Sequence, residues 1–503
     1  MSGSIAAGVL AAAGVPAQAR ARRGGRLRLA VGGASAGDGW DSRRHAGLFM
    51  TSAAVGAVFD TLTEVTAEGH LTGELAQDWT ASADAREWTF RLREDVTFHD
   101  GSAFGAEDVI ASYALHRDPG SPVRCLVEAI EDMRALGRDR LRITLRHGNP
   151  NFPYHLSDPH LLIYPGGHIA RAMAEGIGTG LYRLRRAEPG RRILAERVAR
   201  HYKDGSAGWF DEVEFLALNH PEARLRALLT DRVDAAADLD PRSRALLAAN
   251  RRVMPIDAPG NQVLGFVMRS DIAPFDDPRV RRAMKLAIDR PALLAEVFGG
   301  AGQVWADHPL GPQNGPLAGD LRAAPRDPAL ARALLAEAGH DGLTVELFVS
   351  DAAFPGAVDL ARLMRLQVAE AGITLRLRDV QAADYRNAVP AAAPLRATVL
   401  AGRPTEDMIL ALVTAPGSPL NQTGWTDAAF ASAMKSALGP ADAETRAGAL
   451  GHALRRMSED GGWLFPVSAP FLGAASTRLA HGPAIGHLMP LDSARIAERW
   501  WMA

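Results

Sequence analysis

LAQDWTASADAREWTFRLREDVTFHDGSAFGAEDV, Leu75 to Val109, is the stretch from which the fold is read. Trp88, Phe90 and Leu92 alternate with Thr89, Arg91 and Arg93, the period of a strand with one buried face. His99-Asp100-Gly101 reads as a turn. Beyond it, Ala106, Val109, Ile110 and Tyr113 recur at the spacing of one helix face. Leu141, Ile143 and Leu145 alternate again, so the spacing predicts a compact α+β unit over residues 57–175.

On the N-terminal side, Leu27, Leu29 and Val31 form an alternating strand that enters the loop Gly32 to Asp41. On the C-terminal side, Gly176 to Gly180 is a glycine-rich break suited to a crossing between lobes; no GK[ST] follows, so it is not a phosphate loop. Asp277-Pro278 and Asp327-Pro328 each place a capping acid before a first-turn proline. Then come a strand (Leu343, Val345, Leu347, Val349), a helix (Leu360, Met364, Val368, stopped by Gly372) and a strand (Ile373, Leu375, Leu377). That order predicts an α/β unit in the second half.

A chain of 503 residues, 47% hydrophobic and 23% charged, is expected to fold into two or three lobes. The net charge of -2 argues against a nucleic-acid partner. Cys125 is the only cysteine, which excludes an intrachain disulfide and a cysteine metal cluster; a buried, inert thiol is expected. Residues 1–21 read as a leader, with Ala17-Gln18-Ala19 as a cleavage site and a missing n-region, of twin-arginine type, upstream. That implies a periplasmic, exported protein with no permanent membrane span. HExxH, G-x-S-x-G, Walker A and a GxGxxG in strand–helix context are all missing, so no catalytic residue is nominated. His147, His155, His160 and His168 lack convincing ligand spacing, and neither metal nor cofactor is expected.

The Leu75–Val109 run resembles the signature region of the family-5 (peptide, nickel and opine) extracellular solute-binding proteins. Four further blocks are similar in the same order: GTGLYRLRRAEPG (178–190), APFDDPRVRRAMKLAIDRPALLAEVFGGAG (273–302), DPALARALLAEAG (327–339), and GWTDAAFASAMKSA (424–437) with GGWLFPV (461–467). The resemblance implies an α/β bilobal periplasmic-binding-protein fold (type II, class C) with an extra small α+β lobe inserted early. On that reading 22–56, 176–268 and 468–503 build lobe I, 57–175 the inserted lobe, and 269–467 lobe II. It also implies a monomeric receptor that captures a short peptide or peptide-like solute and delivers it to ABC permease subunits with separate ATPases. Receptors for an opine, a glutathione-like solute or a metal chelate are the alternatives; a secreted hydrolase is the alternative of another class, and it lacks a motif.

A buried zwitterion needs both charges met. In peptide-binding members of that family an Asp in a lobe II loop holds the ligand amine. Here the matching loop is AGRPTEDMIL (401–410), with Arg403 at the acid's place, which points to an anionic or modified ligand and leaves Glu406 or Asp407 for an amine. The same loop reads equally as a helix start, with Thr405 as N-cap and Glu406 and Asp407 in the first turn. WADHPLGP (305–312) resembles a family loop that would bring Asp307 and His308 to the cleft, or is a turn begun by Asp307. Phe354 offers an aromatic wall or a hydrophobic staple, and Asn261 a backbone contact or an Asx turn. Trp40 and Phe49 are nominated from the first lobe by position.

Overall fold

The computed structural model describes residues 21–503 apart from 46, 382–384, 386–388, 390–391 and 439–442. The cleavage site read at Ala17-Gln18-Ala19 lies outside the described residues.

Three main sheets organise the chain. The first has seven strands in the order Val253–Ala258, Phe471–Ser476, Ala235–Ala236, Arg26–Val31, Glu212–Ala217, Arg192–Arg197 and Tyr182–Glu188. Arg26–Val31 lies inside it, parallel to both neighbours, and its Leu27, Leu29 and Val31 are fully buried. The second has six strands in the order Gln303–Val304, Trp463–Ser468, Gln262–Met268, Leu395–Ala401, Leu343–Val349 and Ile373–Asp379. Leu343–Val349 and Ile373–Asp379 pair in parallel, and the helix Ala357–Ala369 connects them. The third is antiparallel, in the order Ala76–Ala81, Glu87–Leu92, Arg140–Leu145 and Ile130–Ala135, with the helix Ala106–Leu115 contacting its last strand.

One expected boundary moves. The division at residue 269 leaves Gln262–Met268 in the first lobe. That strand instead pairs along its whole length with Leu395–Ala401 and also with Trp463–Ser468, inside the second sheet. Its uniformly apolar VLGFVM cannot tell one core from another, because a strand buried on both faces shows no alternation. The chain therefore passes between the two large sheets at 259–261 and returns at 469–470. The two passages touch: a side chain on Gly260 would come within 2.8 Å of the Phe471 nitrogen.

A buried ion-pair network ties the C-terminal segment to the start of the inserted lobe. Arg495 Nη1 lies 2.7 Å from Glu74 and 2.8 Å from Glu498, and Lys203 Nζ lies 2.7 Å from Glu74 and 3.2 Å from Glu498. The carboxylates of Asp60, Glu74 and Glu498 converge closely enough to suit a cation. Lys203 and Arg495 already supply the positive charge that such a cluster needs.

Candidate functional site

A cleft of about 840 Å³ opens between the two large sheets. One wall is the loop that follows Arg26–Val31, at the carboxyl end of a parallel strand pair, where open α/β sheets present their ligand crevice. Asn219 holds this loop by both ends of its amide: Oδ1 accepts from the Ala34 N–H and Nδ2 donates to the Ala34 carbonyl, each at 3.0 Å. Asp38 closes the turn by accepting from the Ser35 N–H at 2.9 Å. Behind it the buried Arg224 donates to the carbonyls of Ala237, Leu218 and Asn219 at 2.8, 2.6 and 3.0 Å. The opposite wall comes from Phe354, the strand residues Arg396 to Ala401, and Leu420 and Gln422. Ala469 to Leu472 lie at the return passage.

The inserted lobe touches the second lobe through a buried polar seam. Arg403 Nε donates to Asp158 Oδ2 at 2.9 Å. Asp158 also accepts from the His160 backbone N–H at 2.9 Å and lies 2.7 Å from His160 Nδ1. Burial alone would raise the Asp158 carboxyl, but the charges of Arg403 and His160 hold it well below the usual carboxylate range. Four residues further on, Asp407 accepts from Asn149 and Asn151 at 2.9 and 3.0 Å and lies 2.8 Å from His155 Nε2. Burial opposes its charge too, and the His155 and asparagine hydrogen bonds override it.

Among the nominated residues, Arg403 and Phe354 line the cleft. Arg403 already has a carboxylate partner there, contributed by the inserted lobe. Asp407 faces the seam. Glu406 sits against Gly315, where an added side chain would come within 2.8 Å of its Oε1. Thr405 holds the N-cap position of the helix Glu406–Thr414 but makes no capping bond. Asp307 is buried on Arg290 Nη2 at 2.6 Å, and its loop conformation, with φ 58°, belongs to the core. His308 is fully buried, and burial lowers its pKa to about 4. Asn261 is buried at the first passage, where its Oδ1 accepts from the Gln313 N–H at 3.1 Å and its Nδ2 reaches the Arg403 carbonyl at 3.3 Å. Trp40 packs on Phe59 at 6.0 Å, and Phe49 is wholly inside the first core; their neighbours Asp38 and Leu48 face the cleft instead. Burial pushes the Cys125 thiol up to about 12.

The sequence reading missed Arg396, Thr398 and Gln422. Their signal was present but weak: in LRATVLA, Arg396 and Thr398 interrupt an apolar strand at alternate positions, on one face.

A cleft between two sheets joined by two passages defines the class of bilobal solute-binding proteins. The family model of the bacterial extracellular solute-binding proteins, family 5, matches residues 70–399, and the chain belongs to that family. Its curated relatives include "Di/tripeptide-binding protein 2" of Pseudomonas aeruginosa, 27% identical over 70% of this chain and 72% of that protein. They also include "Glutathione-binding protein GsiB" of Escherichia coli, 26% identical over 66% of each chain. Among solved structures, the agropinic-acid complex of AgaA from A. tumefacien R10 superposes with a TM-score of 0.85 at 21% identity, covering 95% of this chain and 99% of that one. No helix among the described residues is long and apolar enough to cross a membrane.

Proposed function

We propose that this protein is the extracytoplasmic receptor of an ABC importer and that it encloses a short peptide or peptide-like solute between its two large lobes. The observation that carries the reading is the cleft itself. At about 840 Å³ it has the size of a small-molecule site, and its walls combine apolar side chains (Leu48, Phe354, Leu420) with polar and charged ones (Asn219, Thr398, Gln422, Arg403). Solute that touches both walls stabilises the closed form, because only that form makes both sets of contacts. The passages at 259–261 and 469–470 are the hinge. Relatives named for di- and tripeptides, glutathione and agropinic acid support a peptide-like class of solute. Closure presents a joint surface of both lobes to a permease pair whose ATPases are separate chains. The protein works as a periplasmic monomer and catalyses nothing.

Native mass spectrometry of protein purified under mild conditions is the test, followed by calorimetry with di- and tripeptides, glutathione and opines. Co-purified solute, or saturable binding of one of these classes at micromolar affinity, is the expected result. A protein that carries no solute and binds none of the panel overturns the solute assignment.

A further inference from the structure

The cations of the cleft are not equivalent. Arg43 is held by Asp41 at 2.8 Å, and Arg403 by Asp158 at 2.9 Å. Arg224 is engaged with backbone carbonyls. Arg396 also lines the cleft and is half-buried, yet among the described residues its guanidinium has neither a hydrogen bond nor a carboxylate within ion-pair distance. Its flanking residues Leu395 and Ala397 point into the second-lobe core, so strand alternation sends Arg396 to the other face, with Thr398. Thr398 Oγ1 is bonded to Gln422 Oε1 at 3.0 Å, and both line the cleft. The charged neighbour that acts on Arg396 is Arg269, itself paired with Asp271 at 2.7 Å; the other titratable neighbour is Tyr385, whose hydroxyl donates to the Ala397 carbonyl at 2.7 Å. Burial therefore pushes the Arg396 guanidinium below its ordinary value, with no carboxylate among the described residues to offset it.

A half-buried guanidinium without an acid is costly unless an anion arrives. We infer that Arg396 is the anion anchor of the cleft and that the solute carries a carboxylate, which the planar guanidinium grips with two parallel hydrogen bonds beside Thr398 and Gln422. The inference rests on the solute-receptor reading and narrows it: the solute is a free acid, and its acidic end lies against the second lobe. Arg403, already neutralised by Asp158, is left to position the walls.

The test compares wild type with Arg396→Met. The probes are alanylalanine and trialanine, each as free acid and as C-terminal amide, and glutathione. Calorimetry reads binding, and circular dichroism reads the melting of the solute-free proteins. The expected pattern is a cycle. Amidation weakens wild-type binding on the order of 30-fold or more, Arg396→Met weakens the free acids by a similar factor, and the two changes together do no more than either alone. Melting of solute-free Arg396→Met stays level or rises, because an uncompensated charge has been removed. Free acids bound by the variant within about twofold of wild type overturn the anchor while leaving the receptor reading in place. Should wild type bind no probe, the solute class fails on its own account. Independently of binding, a fall of several degrees in the melt of solute-free Arg396→Met makes it a structural arginine and overturns the inference.

Discussion

Asp407→Ala removes the acceptor at the centre of the seam between the inserted lobe and the second lobe. Asp407 takes hydrogen bonds from Asn149, Asn151 and His155 at 2.9, 3.0 and 2.8 Å, all from the facing lobe, and is almost wholly buried. Hydrogen bonds to a charged group contribute about 1.5–3 kcal/mol each and do not add, and deleting one partner of a buried pair costs about 3–5 kcal/mol. When the lobes part, the same groups meet water, so this cost falls on the closed form. Taking about 3 kcal/mol as the net effect, the closed-to-open ratio drops by roughly 150-fold. Apparent affinity drops with the closed fraction, since a solute held by both walls binds only that form. Small-angle scattering of the solute-free variant should show a larger radius of gyration than wild type, and calorimetry a weaker solute affinity, with urea melts showing each lobe still folded. An unchanged radius together with unchanged affinity would mean that the inserted lobe and the second lobe move as one body, and the seam would then have no part in closure.

Three further outcomes are expected. Arg403→Ala and Asp158→Ala should each weaken solute binding, and the double variant should lose little more than either; additive losses would show that Arg403 acts on solute independently of its 2.9 Å pair. Arg495→Ala leaves Glu74 and Glu498 buried without their guanidinium, and urea unfolding should register a loss of about 3–5 kcal/mol, whereas a loss below about 1 kcal/mol would show Lys203 sufficient alone. Burial lowers His45, His116 and His308 from 6.5 to about 4. Between those values the unfolded chain binds more protons than the native one, so stability is full above about pH 6.5 and falls as pH drops towards 4, by up to about 1.4 kcal/mol per pH unit for each ring. Urea melts at pH 7.5 and 5 that gave equal stability would contradict this.

Local periodicity was enough for most of the architecture. The alternation at Trp88, Phe90 and Leu92 became the strand Glu87–Leu92, the proline starts at Pro278 and Pro328 became helices capped by Asp277 and Asp327, and the strand–helix–strand of the second half pairs in parallel. What periodicity cannot supply is the identity of the core a strand joins. Gln262–Met268 shows this most plainly, because its apolar residues serve two faces of the second sheet and carry no mark of which side of the hinge they occupy.

The binding site was harder to read for a related reason: a charge in sequence does not show whether it has a partner. Arg403 stood out because an acid was expected at its place, and it does reach the cleft. Its counter-charge, Asp158, lies 245 residues away in another lobe, so no local pattern could reveal that the arginine was already neutralised. Asp407 was paired across the same seam by residues 252 to 258 positions earlier. Arg396 is the converse: an unremarkable arginine in a strand becomes conspicuous once its described neighbours are placed and none of them is an acid. An arginine at 403 is therefore coherent with the fold. A cation there joins the second lobe to the inserted lobe through Asp158, and recognition of an anionic solute falls to Arg396, a cleft arginine for which the described residues provide no carboxylate partner.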